Sequence, residues 1–319
     1  MAETGTVAGR DHGGGLDAAI ARHGGSRKDW IDLSTGINPV PYPVPALPAE
    51  SWTALPDMQA ELTLLREARA AWRVPDGADI LAAPGASALI ARLPGLAPRG
   101  VVHIPEPTYN EHAAAFSAQG WEVHPEPSNL VPARVLVHPN NPTGHWYTQA
   151  ELDAPFTIVD ESFADVAPDR SLVGFANRPG TLILKSFGKF WGLAGLRLGF
   201  AIGPPDLIAS LRDALGPWPV SGPALSLGAI ALADRNWAQT TRARLNDDAA
   251  RLDALMQQRG AASVGGTSLF RLYEVSDAAD WQARLAHHHI WSRVFPYSRT
   301  WLRLGLPAPQ DWSRLEAAL

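Results

Sequence analysis

Residues 181–203 read TLILKSFGKFWGLAGLRLGFAIG and decide the fold. The stretch begins and ends with an apolar run, and neither run alternates apolar and polar residues as a half-exposed strand does. The glycine-rich segment between the runs carries Ser186, Lys189 and Arg197. The two runs therefore predict strands that are covered on both faces, as in an α/β sheet, with the polar residues in the connection between them.

These polar residues suit a reactive amine beside an anion site. A lysine nucleophile must be partly deprotonated, which burial and neighbouring cations favour. Arg197 can bind a phosphate through the rigid fork of donors in its guanidinium group. A short motif is only a hypothesis, however, and Lys189 alone is equally compatible with a surface lysine beside a flexible loop.

Composition limits the possible partners. The chain has 319 residues, of which 46% are hydrophobic and 18% charged, with no cysteine and a net charge of -5. It can bury a large core, and it cannot form disulfides, thiolate nucleophiles or cysteine zinc sites. The charge gives no general basic field for nucleic acid or membrane, so we expect a small ligand. Residues 1–15 contain no apolar stretch and no run approaches the roughly 20 apolar residues of a membrane span, so we expect a cytoplasmic protein.

Further runs predict the rest of an α/β fold. The predicted elements are strands at 101–104, 135–138, 157–160, 181–184 and 199–202, helices at 59–72, 206–215 and 225–258, and β-like pieces around 268–274 and 301–304. The pattern predicts a large domain with a mostly parallel central sheet sandwiched by helices, and a smaller α+β C-terminal domain. We place an N-terminal arm at 1–40, the large domain at 41–205 and the small domain at 206–319.

Polar residues at predicted strand ends are the candidate ligand-binding groups, because sheets of this type place their sites there. Asn141 follows one strand, and Asp160 ends the next, where a carboxylate can pair with a protonated ring nitrogen. Ala86 and Ser87 precede a predicted helix and can offer a backbone N–H and a hydroxyl to a phosphate. Taken singly, each of these residues is also common in ordinary turns and caps.

The order of these residues resembles that of the fold-type I pyridoxal phosphate (PLP) enzymes, the aspartate aminotransferase superfamily, and the resemblance covers nearly the whole chain. It implies that Lys189 binds PLP covalently and that Asp160 pairs with the ring nitrogen. It also implies that Asn141 bonds to the ring 3-oxygen and that Tyr109, in the segment 105–109 (PEPTY), stacks on the ring. The phosphate would be held by Ala86, Ser87, Ser186 and Arg197.

Three further segments are similar to a narrower group, the threonine-phosphate decarboxylase family of cobalamin biosynthesis. They are 12–14 (HGG), 32–39 (DLSTGINP) and 217–220 (PWPV). This resemblance implies decarboxylation of O-phospho-L-threonine to (R)-1-amino-2-propanol O-2-phosphate, in a homodimer that shares its active sites and whose 39–56 segment reaches the partner. The arm would pack with the small domain.

The same resemblance assigns the substrate contacts. His12, Gly36 and Asn38 would lie near the substrate, Arg303 would bind its α-carboxylate, and Arg293 its phosphate. Arg299 is a second candidate for the phosphate, at a spacing that differs from the pattern.

Several positions depart from the pattern of the resembled enzymes. Phe163 replaces a common tyrosine, Leu55 a tyrosine that crosses the dimer, Gly188 a serine or threonine, and Gly36 an asparagine. Each loss weakens binding by about 1 to 3 kcal/mol if a buried group is left unpaired. Two alternatives therefore stay open. One is a PLP-dependent aminotransferase of the histidinol-phosphate type, and the other is a degenerate, non-catalytic partner of another cobalamin enzyme.

Overall fold

The structure is a computed structural model that describes residues 12–126 and 131–319. Its helices are α1 (Leu16–His23), α2 (Glu50–Thr53), α3 (Met58–Trp72), α4 (Ala86–Ile90), α5 (Asn110–Ala118), α6 (Pro205–Leu215), α7 (Gly222–Ala233), α8 (Arg235–Gln258), α9 (Ala278–His287) and α10 (Trp312–Ala318). Its strands are β1 (Ile31–Asp32), β2 (Asp79–Ala83), β3 (Val101–His103), β4 (Glu122–His124), β5 (Ala133–Val137), β6 (Phe156–Asp160), β7 (Thr181–Ser186), β8 (Gly199–Gly203), β9 (Ala262–Thr267), β10 (Phe270–Glu274), β11 (Ile290–Trp291), β12 (Arg293–Phe295) and β13 (Ser298–Gly305).

A seven-stranded sheet in the order β2-β8-β7-β6-β5-β3-β4 forms the larger part of the molecule. Strands β7, β6, β5, β3 and β4 are parallel, whereas β8 runs antiparallel to both β7 and β2. Every residue of β5, β6 and β8 is buried, as the continuous apolar runs predict. The predicted α/β class with a mostly parallel central sheet is confirmed.

The C-terminal part contains a four-stranded antiparallel sheet in the order β12-β13-β10-β9. The short β1 pairs in parallel with β11, with Ile31 opposite Ile290. Leu16 and Trp30 share a small apolar cluster with Ala286 of α9. The first described segment thus lies against the C-terminal part. Residues 1–11 of the predicted arm fall outside the described ranges, and the three domain limits stay a prediction.

Some elements differ from the sequence prediction. The single helix predicted at 225–258 is two helices, because Asp234 ends α7 and its carboxylate accepts the Trp237 N–H at 2.9 Å to cap α8. The proline-rich segment 39–56 includes the one-turn helix α2. None of the helices among the described residues is long and apolar enough to cross a membrane.

Candidate active site

A cavity of about 780 Å³ lies where Lys189 faces residues of the C-terminal sheet. Its wall includes the predicted site residues His12, Gly36, Tyr109, Asn141, Lys189, Arg293 and Arg303. The structure therefore brings together residues from both ends of the described chain around the lysine.

Lys189 follows β7 in a loop that the N-terminal segment holds in place. The Asn38 N–H donates to the carbonyl of Lys189 at 3.0 Å, and the Asn38 side-chain amide donates to the carbonyl of Phe190 at 2.8 Å. Arg244 in turn donates to the side-chain oxygen of Asn38 at 2.6 Å. Asn38 is buried and is not on the cavity wall, and both hydrogen bonds that this predicted substrate residue donates go to the lysine loop.

The environment of Lys189 favours its neutral form. Burial, followed by the positive charge of Arg303, lowers the pKa of Lys189 to about 8, against a smaller opposing effect of Asp160. About a tenth of the amine is therefore unprotonated at pH 7, far more than for an ordinary lysine, and a lysine nucleophile requires this neutral form.

Asp160 ends β6 and keeps its negative charge although it is only 2% exposed. Burial opposes its ionisation, but hydrogen bonds and charge from its neighbours prevail, so the pKa of Asp160 is lowered. His112 Nε2 lies 2.8 Å from Oδ2, and the backbone N–H and hydroxyl of Ser162 donate to Oδ1 at 3.0 and 2.5 Å. The fold thus holds an ionised carboxylate in a fixed position, which suits a cationic partner.

Arg303 and Arg293 face the cavity from adjacent strands. They are directly paired across β12 and β13, so their side chains leave the same face of the sheet. Arg303 is 5% exposed, donates to the side-chain oxygen of Asn141 and donates to the carbonyl of Ser34 at 2.5 Å. Arg299, by contrast, is exposed and pairs with Asp277 at 3.4 Å, so the geometry favours Arg293 as the second anion site.

The four predicted phosphate residues lie near one another, outside the wall of this cavity. They are Ala86, Ser87, Ser186 and Arg197. Two glycines permit the approach: a Cβ on Gly199 would lie 2.4 Å from the backbone nitrogen of Ala86, and a Cβ on Gly85 would lie 2.5 Å from the Arg197 guanidinium. Ser186 is paired with Gly199 across β7 and β8. A backbone N–H, hydroxyls and a guanidinium are the donors that a phosphate requires.

Tyr109 precedes α5 on the other side of the cavity. Its ring centroid lies 6.1 Å from that of His12 and 6.1 Å from that of His112. Nε2 of His12 lies 2.8 Å from a carboxylate oxygen of Glu111. The start of α5 therefore supplies a flat aromatic surface on the wall and the buried partner of Asp160.

Comparison with known proteins identifies the family. Residues 28–319 match the aminotransferase class I and II family. The chain belongs to this family. Among its relatives are a threonine-phosphate decarboxylase of Sinorhizobium sp, 43% identical over 312 residues and 92% of each chain, and one of Pseudomonas aeruginosa, 39% identical over 97% of each. A histidinol-phosphate aminotransferase of Mycobacterium tuberculosis is 32% identical over 63% of this chain and 60% of its own.

The solved structures agree on the fold. The histidinol-phosphate aminotransferase of Sinorhizobium meliloti, in complex with pyridoxal-5'-phosphate, superposes with a TM-score of 0.80 at 16% identity, over 96% of this chain and 93% of that chain. The resemblance to the aminotransferase superfamily inferred from the motif order is confirmed, and with it the fold class.

Sequence reasoning missed His112. It follows Tyr109 by three positions, which places both on one side of a helical turn, and that spacing is the signal that could have revealed it.

A buried charge cluster was also missed. Lys185 is 1% exposed, and its ammonium lies 2.7 Å from Glu161 and 3.1 Å from Asp165. The indole N–H groups of Trp72 and Trp191 each donate to Asp165 at 3.0 Å. Trp191 belongs to the lysine loop, so its hydrogen bond to Asp165 ties the loop to this buried cluster. A lysine inside an otherwise apolar strand was the available signal.

Proposed function

We propose that the protein is a PLP-dependent threonine-phosphate decarboxylase, which converts O-phospho-L-threonine to (R)-1-amino-2-propanol O-2-phosphate and carbon dioxide for cobalamin biosynthesis. The observation that carries this proposal is a lysine with a pKa of about 8 facing a cavity that two arginines enter from one sheet face. A substrate with a carboxylate and a phosphate matches the two arginines, and its amine would lie beside Lys189. The identity of 39–43% to decarboxylases over nearly the whole chain supports it.

The residues present fit PLP. Arg197, Ser186 and the backbone at Ala86 supply donors for its phosphate, in a cradle that side chains at Gly85 or Gly199 would fill. Tyr109, Asn141 and Asp160 would contact the ring, and Lys189 would bind the aldehyde carbon. When bound, PLP supplies an electron-withdrawing ring that takes up the electron pair of the bond broken at Cα.

The chain's own residues then direct the reaction. Asp160, kept ionised, would stabilise a proton on the ring nitrogen. Arg303 would orient the carboxylate through its fork of donors, because Asn141 and Ser34 already fix the guanidinium plane. Lys189 would deliver a proton to Cα in place of the lost carbon dioxide, and one proton is consumed overall. Arg293 would hold the phosphate at the other end of the substrate.

The test is incubation of the purified protein with PLP and O-phospho-L-threonine, without any 2-oxoacid, followed by assays for carbon dioxide and aminopropanol phosphate. We expect both products from wild type and neither from Lys189→Ala. Absence of both products from the wild-type protein would refute the proposed function.

A second candidate is an aminotransferase of the histidinol-phosphate type, favoured by the relative that is 32% identical over 63% of the chain. It predicts no carbon dioxide, and instead transfer of the amino group from histidinol phosphate to 2-oxoglutarate. The same protein preparation tests both, since only the aminotransferase needs the second substrate. If neither reaction occurs and PLP gives no visible absorbance that depends on Lys189, the non-catalytic alternative is favoured.

We also propose that the chain forms a homodimer with shared active sites. Large apolar side chains are exposed at Val44, Trp52, Leu55, Met58 and Trp218. Met58 and Trp218 line one groove of about 310 Å³, and exposed apolar patches of this kind mark interaction sites. Sedimentation of the wild-type protein and of Trp52→Arg tests for the dimer. A monomeric wild-type protein would contradict the proposed homodimer. The expected cytoplasmic location is tested by cell fractionation.

A further inference from the structure

Two perpendicular phenylalanines connect the two cations on which the proposed function relies. The ammonium of Lys189 lies over the ring of Phe163, 5.2 Å from its centroid, and the guanidinium of Arg303 lies over the ring of Phe270 at 5.1 Å. The two rings meet edge to face, with centroids 5.0 Å apart and planes at 78°. Each contact has the geometry that favours a cation on an aromatic face or an edge-to-face ring pair.

Gly36 makes room for this arrangement. A Cβ at that position would lie 2.8 Å from Cε1 of Phe163 and 2.9 Å from Cδ1 of Phe270, which is closer than real Cβ contacts. Gly36 has no positive φ, so its backbone conformation does not require glycine. The requirement is space, and a side chain here would push against both rings at once.

We propose that Phe163 and Phe270, admitted by Gly36, are positioning residues that fix the Lys189 amine and the Arg303 guanidinium relative to each other. Phe270 is fully buried and is not on the cavity wall, so it acts through Arg303. Phe163 is on the wall and presents a hydrocarbon face to Lys189. Phe163 stands where the resembled enzymes commonly have a tyrosine, and in this proposal its aromatic ring has a role of its own. The inference rests in part on the proposed function, because it assumes that Arg303 binds a carboxylate.

The first test measures the amine without any substrate. The rate at which PLP is captured by the apoprotein is followed by visible absorbance as a function of pH, which reports the titration of Lys189. Phe163→Leu keeps the site apolar but removes the aromatic face that favours the ammonium, so the midpoint should fall by about 0.4 to 1.5 pH units. The charged groups around the amine, Arg303, Asp160, Arg197 and Asp32, are unchanged in this variant.

The second test separates the role of Phe270. Calorimetry on the Lys189→Ala protein, which cannot turn over, compares O-phospho-L-threonine with 1-amino-2-propanol O-2-phosphate, which lacks the carboxylate. Adding Phe270→Leu should weaken binding of the first ligand by about 2- to 30-fold and leave the second unchanged. A purely structural defect would weaken both ligands.

Gly36→Ala provides a third variant, with Gly174→Ala as its matched control, since nothing lies within 4 Å of a Cβ at Gly174. Gly36→Ala should produce both effects and Gly174→Ala neither. The proposal is overturned if Phe163→Leu leaves the midpoint of capture unchanged or raises it, or if Phe270→Leu weakens both ligands equally. If the Lys189→Ala protein binds neither ligand, the proposed substrate is wrong, and the capture experiment still decides the role of Phe163.

Discussion

Replacing Lys185 with methionine should remove a large part of the folding stability. The ammonium is 1% exposed and lies 2.7 Å from Glu161 and 3.1 Å from Asp165, whose side chains are themselves 0% and 7% exposed. Methionine fills a similar volume but leaves two buried carboxylates without their cation. Breaking a buried ion pair from one side costs about 3 to 5 kcal/mol, a large share of the roughly 5 to 15 kcal/mol that stabilises a domain.

Urea unfolding of the apoprotein measures this cost. With a slope of about 3 kcal/mol per molar, Lys185→Met should lower the midpoint by about 1 to 1.7 M. Burial lowers the pKa of Lys185, but the two carboxylates more than offset it, so the pKa is raised. The stabilisation is therefore complete below the ordinary lysine pKa and is lost only as pH rises through the folded value, so the deficit should be constant from pH 6 to 9.

The matched control is Arg251→Met. Arg251 pairs with Glu316 at 2.6 Å and its guanidinium lies 4.2 Å from the Trp312 ring centroid, but the paired side chains are 48% and 39% exposed, so the expected loss is at most about 2 kcal/mol. Adding Glu161→Gln to Lys185→Met should restore part of the stability, because one uncompensated charge is removed. A midpoint for Lys185→Met equal to that of Arg251→Met would refute the reasoning.

Three further predictions concern the site. The pKa of Lys189 is lowered to about 8, so the neutral fraction of its amine should be about 50-fold lower at pH 6 than at pH 8. The rate of PLP capture by the apoprotein should fall by the same factor. A rate still rising steeply above pH 9 would contradict this. His112→Phe removes the 2.8 Å hydrogen bond to the buried Asp160 carboxylate and should weaken PLP retention in dialysis by about 10- to 150-fold. His112→Gln should retain more PLP, because its amide can still donate. Equal retention by wild type and His112→Phe would exclude this role. Arg293→Ala should raise KM for phosphothreonine at least 10-fold while Arg299→Ala leaves it unchanged, and the reverse result would reassign the phosphate site.

The strands and strand ends that depend on local sequence patterns could be predicted from the sequence. The strands around Asp160 and Lys189 are continuous apolar runs with a polar residue at or just beyond their ends, and such runs can be read without neighbours. The same reasoning placed Arg303 on a strand but could not show that Asn141 and Ser34 hold it, because those contacts link residues 162 and 269 positions apart.

Other features depended on tertiary packing. Asn38 contacts the lysine loop across 152 positions, so motif similarity named the residue without revealing its partners. Strand β2 is short and joins the sheet only through the antiparallel β8, and its five residues carry no periodic pattern strong enough to distinguish a strand from a helix. The break at Asp234 interrupts a stretch whose composition is helical on both sides.

The hydrogen bond between Arg303 and Ser34 joins two residues that the ribosome adds far apart in time. All strands of the seven-stranded sheet, together with Lys189, have been made once residue 203 is added, whereas Arg303 follows about 100 residues later. At translation speeds of about 5 to 20 residues per second, this gap lasts about 5 to 20 seconds. A nascent chain in that interval already carries the lysine and the phosphate-binding residues, but it lacks the Arg303 guanidinium that Asn141 and Ser34 hold in the finished protein.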